Sequence, residues 1–192
     1  MNAEKIMAFV INGLWGAWLV YWYVAAVGAK PVRRRESVAS RVSHILPLVL
    51  AVALLFRPEM AGPALAAPIV PYQPGFPVIG AVLTAAGLGF AVWARVHLAG
   101  NWSGTVTLKQ DHELVRSGPY ALVRHPIYTG ILLAMIGTVV ANDRWSAVLA
   151  LLLMAAAFLY KIAIEERFMA EAFGPAYADY RRATARLVPY LW

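Results

Sequence analysis

Two short runs carry side chains able to do chemistry. RHPIYTG, residues 124–130, sets Arg124 and His125 directly before an apolar stretch, and KIAIEER, residues 161–167, brings Lys161, Glu165 and Glu166 out of another. Proline suits the first helical position, where its missing amide costs nothing, so Pro126 predicts a helix start with His125 at or beside the cap. The open amides of that turn and the helix dipole favour an anion, and Arg124 strengthens the bias. Lys161 and Glu165 lie four apart on one helical face; the plainer alternative is a helix-end ion pair worth roughly a few tenths of a kcal/mol. Between the two runs the apolar segments 127–141 and 145–164 turn at Asn142-Asp143-Arg144, a breaker signal that predicts a tight helical hairpin. Such a hairpin returns its second helix to the level where the first began. The two runs therefore converge on one candidate site.

The elements that must position them are membrane helices. Of 192 residues, 61% are hydrophobic and 14% charged, more apolar than a soluble fold of this size carries. Apolar runs at 6–27, 42–56, 76–98, 127–141 and 145–164 predict an all-α integral membrane protein with five transmembrane helices, the second and fourth short against the roughly 20 residues a crossing needs. Six prolines from Pro58 to Pro77 predict an irregular connector between the second and third helices.

The formal charge of +7 is spread between apolar stretches, the pattern of topology signals rather than of a nucleic-acid footprint. Fourteen of the 17 Lys and Arg residues follow the odd-numbered helices, and only Lys5, Arg57 and Arg144 fall opposite. The positive-inside rule then places the amino terminus outside and the carboxyl terminus, with the candidate site, on the cytoplasmic side. Val27-Gly28-Ala29 is small enough for a signal cleavage site, but the flanking charge follows the apolar run, so the first segment reads as a retained helix. The absence of cysteine excludes disulfides, cysteine-ligated zinc and thiol nucleophiles. His44 and His97, without partnered carboxylates, read as boundary residues rather than metal ligands. Trp15, Trp18, Tyr21, Trp22 and Tyr23 read as lipid-facing and interfacial anchors, with a lipid-substrate groove as the alternative. Gly13 with Ala17, and Gly87 with Gly89, are weak helix-packing signals.

Further residues join the site by resemblance. His112-Glu113-Leu114-Val115, Ser117-Gly118-Pro119-Tyr120, Arg124-His125-Pro126-Ile127-Tyr128, Glu165-Glu166 and Phe173-Gly174-Pro175-Ala176-Tyr177-Ala178-Asp179-Tyr180 together resemble the isoprenylcysteine carboxyl methyltransferases. These sit in a wider group of membrane methyltransferases that includes the phospholipid N-methyltransferases. The resemblance covers about residues 98–190; the first three helices match in hydrophobicity alone. It implies one structural domain, with 1–98 carrying the first three helices and 99–192 the cofactor-binding and catalytic region. It also implies S-adenosylmethionine bound on the cytoplasmic side beneath a carboxyl-terminal flap, S-adenosylhomocysteine as product, and a lipid substrate entering from the bilayer. The implied cofactor cradle is His112, Glu113, Leu114, Val115, Tyr120, His125, Pro126, Ile127, Tyr128 and Glu165. Leu114 and Val115 offer an apolar slot to adenine, Tyr120 and Tyr128 offer aromatic faces to a ring or a sulfonium, and Glu165 can accept from ribose hydroxyls or an ammonium.

The family has an arginine facing the substrate carboxylate one turn before this glutamate, and here that position is Lys161. Lysine keeps the charge and loses the bidentate fork. Lys161 and Glu165 are the expected catalytic pair, with Arg124 and Glu166 beside Lys161 on the substrate side. A carboxylate is ionised near pH 7 and needs no base, whereas an amine must first lose a proton and would be repelled by a cation at 161. A lipidic or prenylated carboxylate is therefore the expected acceptor, in contact with membrane lipids. A phospholipid or amphiphile N-methyltransferase is the alternative, and a non-catalytic lipid-binding membrane protein the second. Oligomeric state is not legible.

Overall fold

The computed structural model describes residues 3–26, 32–71, 73–99, 102, 107–109 and 113–191. Among these run helices α1 (Ala3–Ala26), α2 (Val38–Phe56), α3 (Pro63–Ala66), α4 (Phe76–Leu98), α5 (Pro119–Leu122), α6 (Pro126–Asn142), α7 (Trp145–Phe173) and α8 (Pro175–Ala183). Four of them, α1, α2, α4 and α7, are long and apolar enough to cross a membrane; α6 is apolar but only 17 residues long, about 25 Å at 1.5 Å per residue. Large apolar side chains such as Leu19, Val24, Leu46, Val49, Val82 and Leu152 point outward, and lipid is the solvent such faces require. The chain is an integral membrane protein.

Two helices extend beyond their apolar cores. Ser37 caps α2, its hydroxyl accepting from the Ser40 amide at 3.2 Å, so a polar first turn precedes the apolar run. Helix α7 continues through EERFMAEAF, good helix formers that no hydropathy window registers. It stops at Gly174, whose φ of 48° suits glycine, and Pro175 then opens α8.

The all-α expectation holds except for one short ribbon. Strands β1 (Val32–Arg35) and β2 (Thr107–Lys109) pair antiparallel, Val32 opposite Lys109 and Arg35 opposite Thr107. The ribbon ties the connection after α1 to the connection after α4, so both basic loops lie at one end of the bundle. At the other end the proline-rich connector is less irregular than expected. It holds a 3-10 turn, Pro58–Ala61, and the single turn α3, each begun by proline. It docks on the α6–α7 turn through Ile69 N–H to the Asp143 carbonyl at 3.1 Å and Trp145 N–H to the Ala67 carbonyl at 3.4 Å.

The closest helix pair is α4 with α6. Gly80 and Gly87 face Gly137 and Gly130, and a Cβ added at Gly87 would stand 2.4 Å from the Ala134 amide nitrogen. Nothing larger than glycine fits without moving a helix. Gly13 and Gly89 meet open space instead, so neither is the packing position the sequence suggested. Within this contact the Thr138 hydroxyl donates to the Ala134 carbonyl at 2.9 Å and accepts the Trp15 indole N–H at 3.0 Å.

The hairpin legs separate laterally: α6 packs on α4 while α7 packs mainly on α2. Helix α1 rests on α4 and α6, and meets α2 where the Trp15 ring stands edge-on to Phe56 at 6.3 Å. An internal space is left among α1, α2, α6 and α7.

Candidate functional site

At the ribbon end, α6 begins beside the carboxyl-terminal segment. His125 caps the helix with φ −124° and ψ 60°, and Pro126 follows at its first position. The segment after α8 runs alongside: Arg124 N–H donates to the Ala185 carbonyl at 2.8 Å, His125 N–H to the Arg186 carbonyl at 3.1 Å, and the Thr129 hydroxyl to the Leu187 carbonyl at 2.7 Å. Tyr180 adds a hydroxyl hydrogen bond to the Tyr120 carbonyl at 2.6 Å. Polar backbone that water would otherwise satisfy is thereby paired inside the protein.

Helix α7 returns its two carboxylates to this level, and they take different environments. Glu166 is buried among cations: Oε1 accepts from Arg124 Nε at 3.0 Å, and Oε2 lies 3.4 Å from Arg186 Nη2 and 3.9 Å from Arg181 Nε. Arg124 also donates to the carbonyls of Arg181 and Thr184. Glu165 accepts from the Tyr128 hydroxyl at 2.6 Å through Oε1. His125 stands between the pair, Nδ1 3.5 Å from Glu165 Oε2 and Nε2 3.3 Å from Glu166 Oε1. Two carboxylates facing two ring nitrogens favour an imidazolium, in which both nitrogens carry protons. Tyr128 is stacked between His125, at 5.8 Å, and Phe158, at 4.5 Å. Over its ring lies Lys161, 6% exposed, with Nζ 5.4 Å from the centroid, a cation–π contact in a desolvated place.

Burial works against the imidazolium, but its hydrogen bonds to Glu165 and Glu166 outweigh that and raise the His125 pKa above its ordinary value. The sign follows from linkage. A raised folded value gives a stabilising contribution that is fully present below the unfolded pKa of about 6.5 and is lost as pH climbs through the folded value. The melting-temperature gap between wild type and His125→Phe in detergent should therefore be widest at about pH 6, below the unfolded reference, and narrow at higher pH. A gap independent of pH contradicts the bridging imidazolium.

The internal space is a cavity of about 390 Å³, within the range of small-molecule sites. Its polar end is walled by Glu113, Leu114, Val115, Tyr120, Arg124, His125, Ile127, Tyr128, Lys161 and Glu165, and Tyr177 and Tyr180 of α8 also line it. Its other end is apolar, with Trp15, Leu48, Phe56, Met135 and Met154, and Trp18 and Trp22 continue the aromatic wall back toward the polar end. Leu19, Val52 and Phe56 line the cavity yet are 57%, 45% and 36% exposed, so it opens toward lipid between α1 and α2.

Most of the expected residues thus meet in one wall. His112 lies outside the described residues. Pro126 and Glu166 stand behind the wall rather than in it: Pro126 is buried as the start of α6, and Glu166, expected on the substrate side, turns its charge to the three arginines and His125. Several contributors depart from the reading preferred for them. Trp15, Trp18 and Trp22 line the cavity instead of anchoring in lipid, while Tyr23, 80% exposed, does face outward. Their spacing of three and four is one helical face, the signal that could have marked them. Trp102 joins them, stacked edge-on against Trp22 at 5.5 Å and covered by the Arg95 guanidinium at 4.4 Å. His97 is more than a boundary residue. It holds the Ser117 hydroxyl at 2.8 Å and stacks on Tyr120 at 6.4 Å, and its ring fills the space beside Gly118, whose φ is 58°.

Fold and site together define a helical membrane protein with an apolar chamber capped by carboxylates, aromatic rings and a buried lysine. The family model described as phospholipid methyltransferase matches residues 76–176, more than half of the 192-residue chain. The chain belongs to that family. A cobalt-zinc-cadmium resistance protein, CzcN, of Cupriavidus metallidurans is 36% identical over 102 residues, 52% of this chain and 43% of that protein. Protein-S-isoprenylcysteine O-methyltransferase A of Arabidopsis thaliana is 34% identical over 87 residues, 45% of this chain and 44% of the relative. The matched stretch thus spans less than half the length of these relatives. The solved structure of the eukaryotic intramembrane Ras methyltransferase, isoprenylcysteine carboxyl methyltransferase, shares the fold with a TM-score of 0.52 at 23% identity, covering 79% of this chain and 51% of that one. The family match includes α4, α6 and α7 and every charged residue of the cavity wall; the tryptophans of α1 and the apolar face of α2 lie outside it.

Proposed function

We propose that this protein is an S-adenosylmethionine-dependent membrane methyltransferase that esterifies the carboxylate of a lipidic substrate, as a protein-S-isoprenylcysteine O-methyltransferase does. The observation that carries the acceptor is a buried lysine, Lys161, at the junction of the polar and apolar ends of one cavity.

The cavity's donor and acceptor set suits the cofactor. An ionised carboxylate has about four acceptor sites. Glu165 uses one on Tyr128 and sets another oxygen toward His125, which leaves capacity for ribose hydroxyls or an ammonium. Tyr120 and Tyr128 present rings to a cationic sulfur, and Leu114 and Val115 present apolar surface to adenine. Bound there, S-adenosylmethionine supplies a methyl group activated by its sulfonium, and S-adenosylhomocysteine remains.

The chain's own residues do the rest. Lys161 attracts a carboxylate and fixes its direction in a site screened from water, where a charge pair is far stronger than in solution. Such positioning can contribute roughly 7–11 kcal/mol to a reaction between held partners. No proton need be removed from the acceptor, so His125 and Glu165 serve to shape and charge the site rather than to act as bases. Glu166 with Arg124, Arg181 and Arg186 fastens the carboxyl-terminal segment over the polar end as a cytoplasmic flap. The distribution of basic residues supports an outside amino terminus and a cytoplasmic site.

Labelled cofactor offered with N-acetyl-S-farnesylcysteine or phosphatidylethanolamine discriminates the acceptors. The expected product is a base-labile methyl ester of the former. A base-stable N-methyl product from the latter would reassign the acceptor to an amine.

A further inference from the structure

We propose that Trp15 sets the length of the apolar chain this cavity admits, with Thr138 as the positioning residue that holds its indole in place. The inference rests on the proposed transfer to an amphiphile; Trp15 lies outside the family match and Thr138 inside it.

On α1, α6 and α7 the apolar end closes in one layer, while on α2 the lining runs on to Leu55 and Phe56, whose ring stands edge-on to Trp15 at 6.3 Å. Trp15, Met135 and Met154 line the cavity, whereas the residues about one turn further along each helix, Ile11, Thr138 and Ala150, do not and are 2% exposed or less. From Glu165 down to Met154 on α7 is about 16 Å at 1.5 Å per residue, roughly half of the ~30 Å hydrocarbon core. A chain whose carboxylate reaches Lys161 therefore meets the Trp15 layer within about one leaflet's depth.

Trp15 is suited to be a fixed stop rather than a yielding one. It is 8% exposed, and its indole N–H donates to Thr138 Oγ1 at 3.0 Å. The Thr138 hydroxyl is in turn committed to the Ala134 carbonyl, with the Thr84 hydroxyl 3.3 Å away. An indole N–H in an apolar interior keeps its acceptor, because the unpaired donor costs free energy. Methionines at the same layer repack readily; a hydrogen-bonded indole does not.

The test uses N-acetylcysteines bearing S-octyl, S-dodecyl and S-hexadecyl chains, with the full protein in lipid nanodiscs. It reads both methyl-ester formation and the thermal shift each ligand causes with S-adenosylhomocysteine present. Wild type should respond to the shorter chains and fall off at the longest. Trp15→Ala should move the fall-off to longer chains, each newly accommodated methylene being worth about fourfold in affinity. Thr138→Val should shift it in the same direction, and Thr138→Ser should restore the wild-type profile, which a loss of packing alone would not do. Trp15→Leu serves if the alanine variant does not fold. A folded Trp15 variant with an unchanged chain-length profile overturns the inference while leaving the function standing. A folded wild type that neither esterifies nor is stabilised by any of the series overturns both.

Discussion

Glu165→Ala should lose most S-adenosylhomocysteine binding in isothermal titration while the helices stay folded. The carboxylate lines the polar end of the cavity, with one oxygen on Tyr128 at 2.6 Å and the other near His125 at 3.5 Å. Hydrogen bonds to a charged group contribute about 1.5–3 kcal/mol each, so losing two to the ligand lowers affinity by roughly two orders of magnitude or more. The variant also leaves the Tyr128 hydroxyl without its acceptor, a cost of about 1–3 kcal/mol if nothing replaces it. A melting curve taken alongside separates that cost from the binding loss. Glu165→Gln, which keeps an acceptor and drops the charge, should bind with intermediate affinity. Wild-type binding by a folded Glu165→Ala protein would remove this residue from the cofactor site.

Lys161→Ala acts on the acceptor instead. Removing one member of a buried charge pair costs about 2–5 kcal/mol, so ester formation should fall by roughly thirtyfold to several thousandfold, with S-adenosylhomocysteine affinity changed far less. Lys161→Arg should retain turnover, since arginine holds the same charge with a bidentate fork and occupies this place in the isoprenylcysteine carboxyl methyltransferases that the sequence resembles. An unchanged kcat/KM for Lys161→Ala would show that this ammonium does not orient the acceptor. Faster methylation of phosphatidylethanolamine by the same variant would mark Lys161 as a guard against amines.

How far the sequence could be read depended on what each position had to satisfy. Helix α4 is found with the bounds its hydropathy indicates, Phe76–Leu98, because glycine and proline precede it and apolar residues fill it. The nine residues of α7 beyond Ile164 escaped, since they are helical without being apolar. The meeting of Arg124 and His125 with Glu165 and Glu166 was legible because a short turn at Asp143 fixes the level of both legs. Which carboxylate faces the cavity was not, as the two are adjacent on one helix and only the arginines brought by residues 181–186 distinguish them. The tryptophans of α1 were misread for a plainer reason. Lipid and an apolar cavity select the same side chains, so the pattern gives a face without saying what it faces. The glycine contact was half visible: Gly80 and Gly87, like Gly130 and Gly137, stand seven apart, which marks a stripe on each helix but not that one stripe meets the other.

The separation of α1 from α2 bears on how the protein is handled. With α1 carried by α4 and α6, and α2 carried by α7, the opening is a seam between two helix groups that a surrounding amphiphile can enter. A detergent with one alkyl chain has the shape this seam admits. If the proposed substrate enters here, detergent should compete with it, and the apparent KM in micelles should rise with detergent alkyl length and fall on return to two-chain lipids.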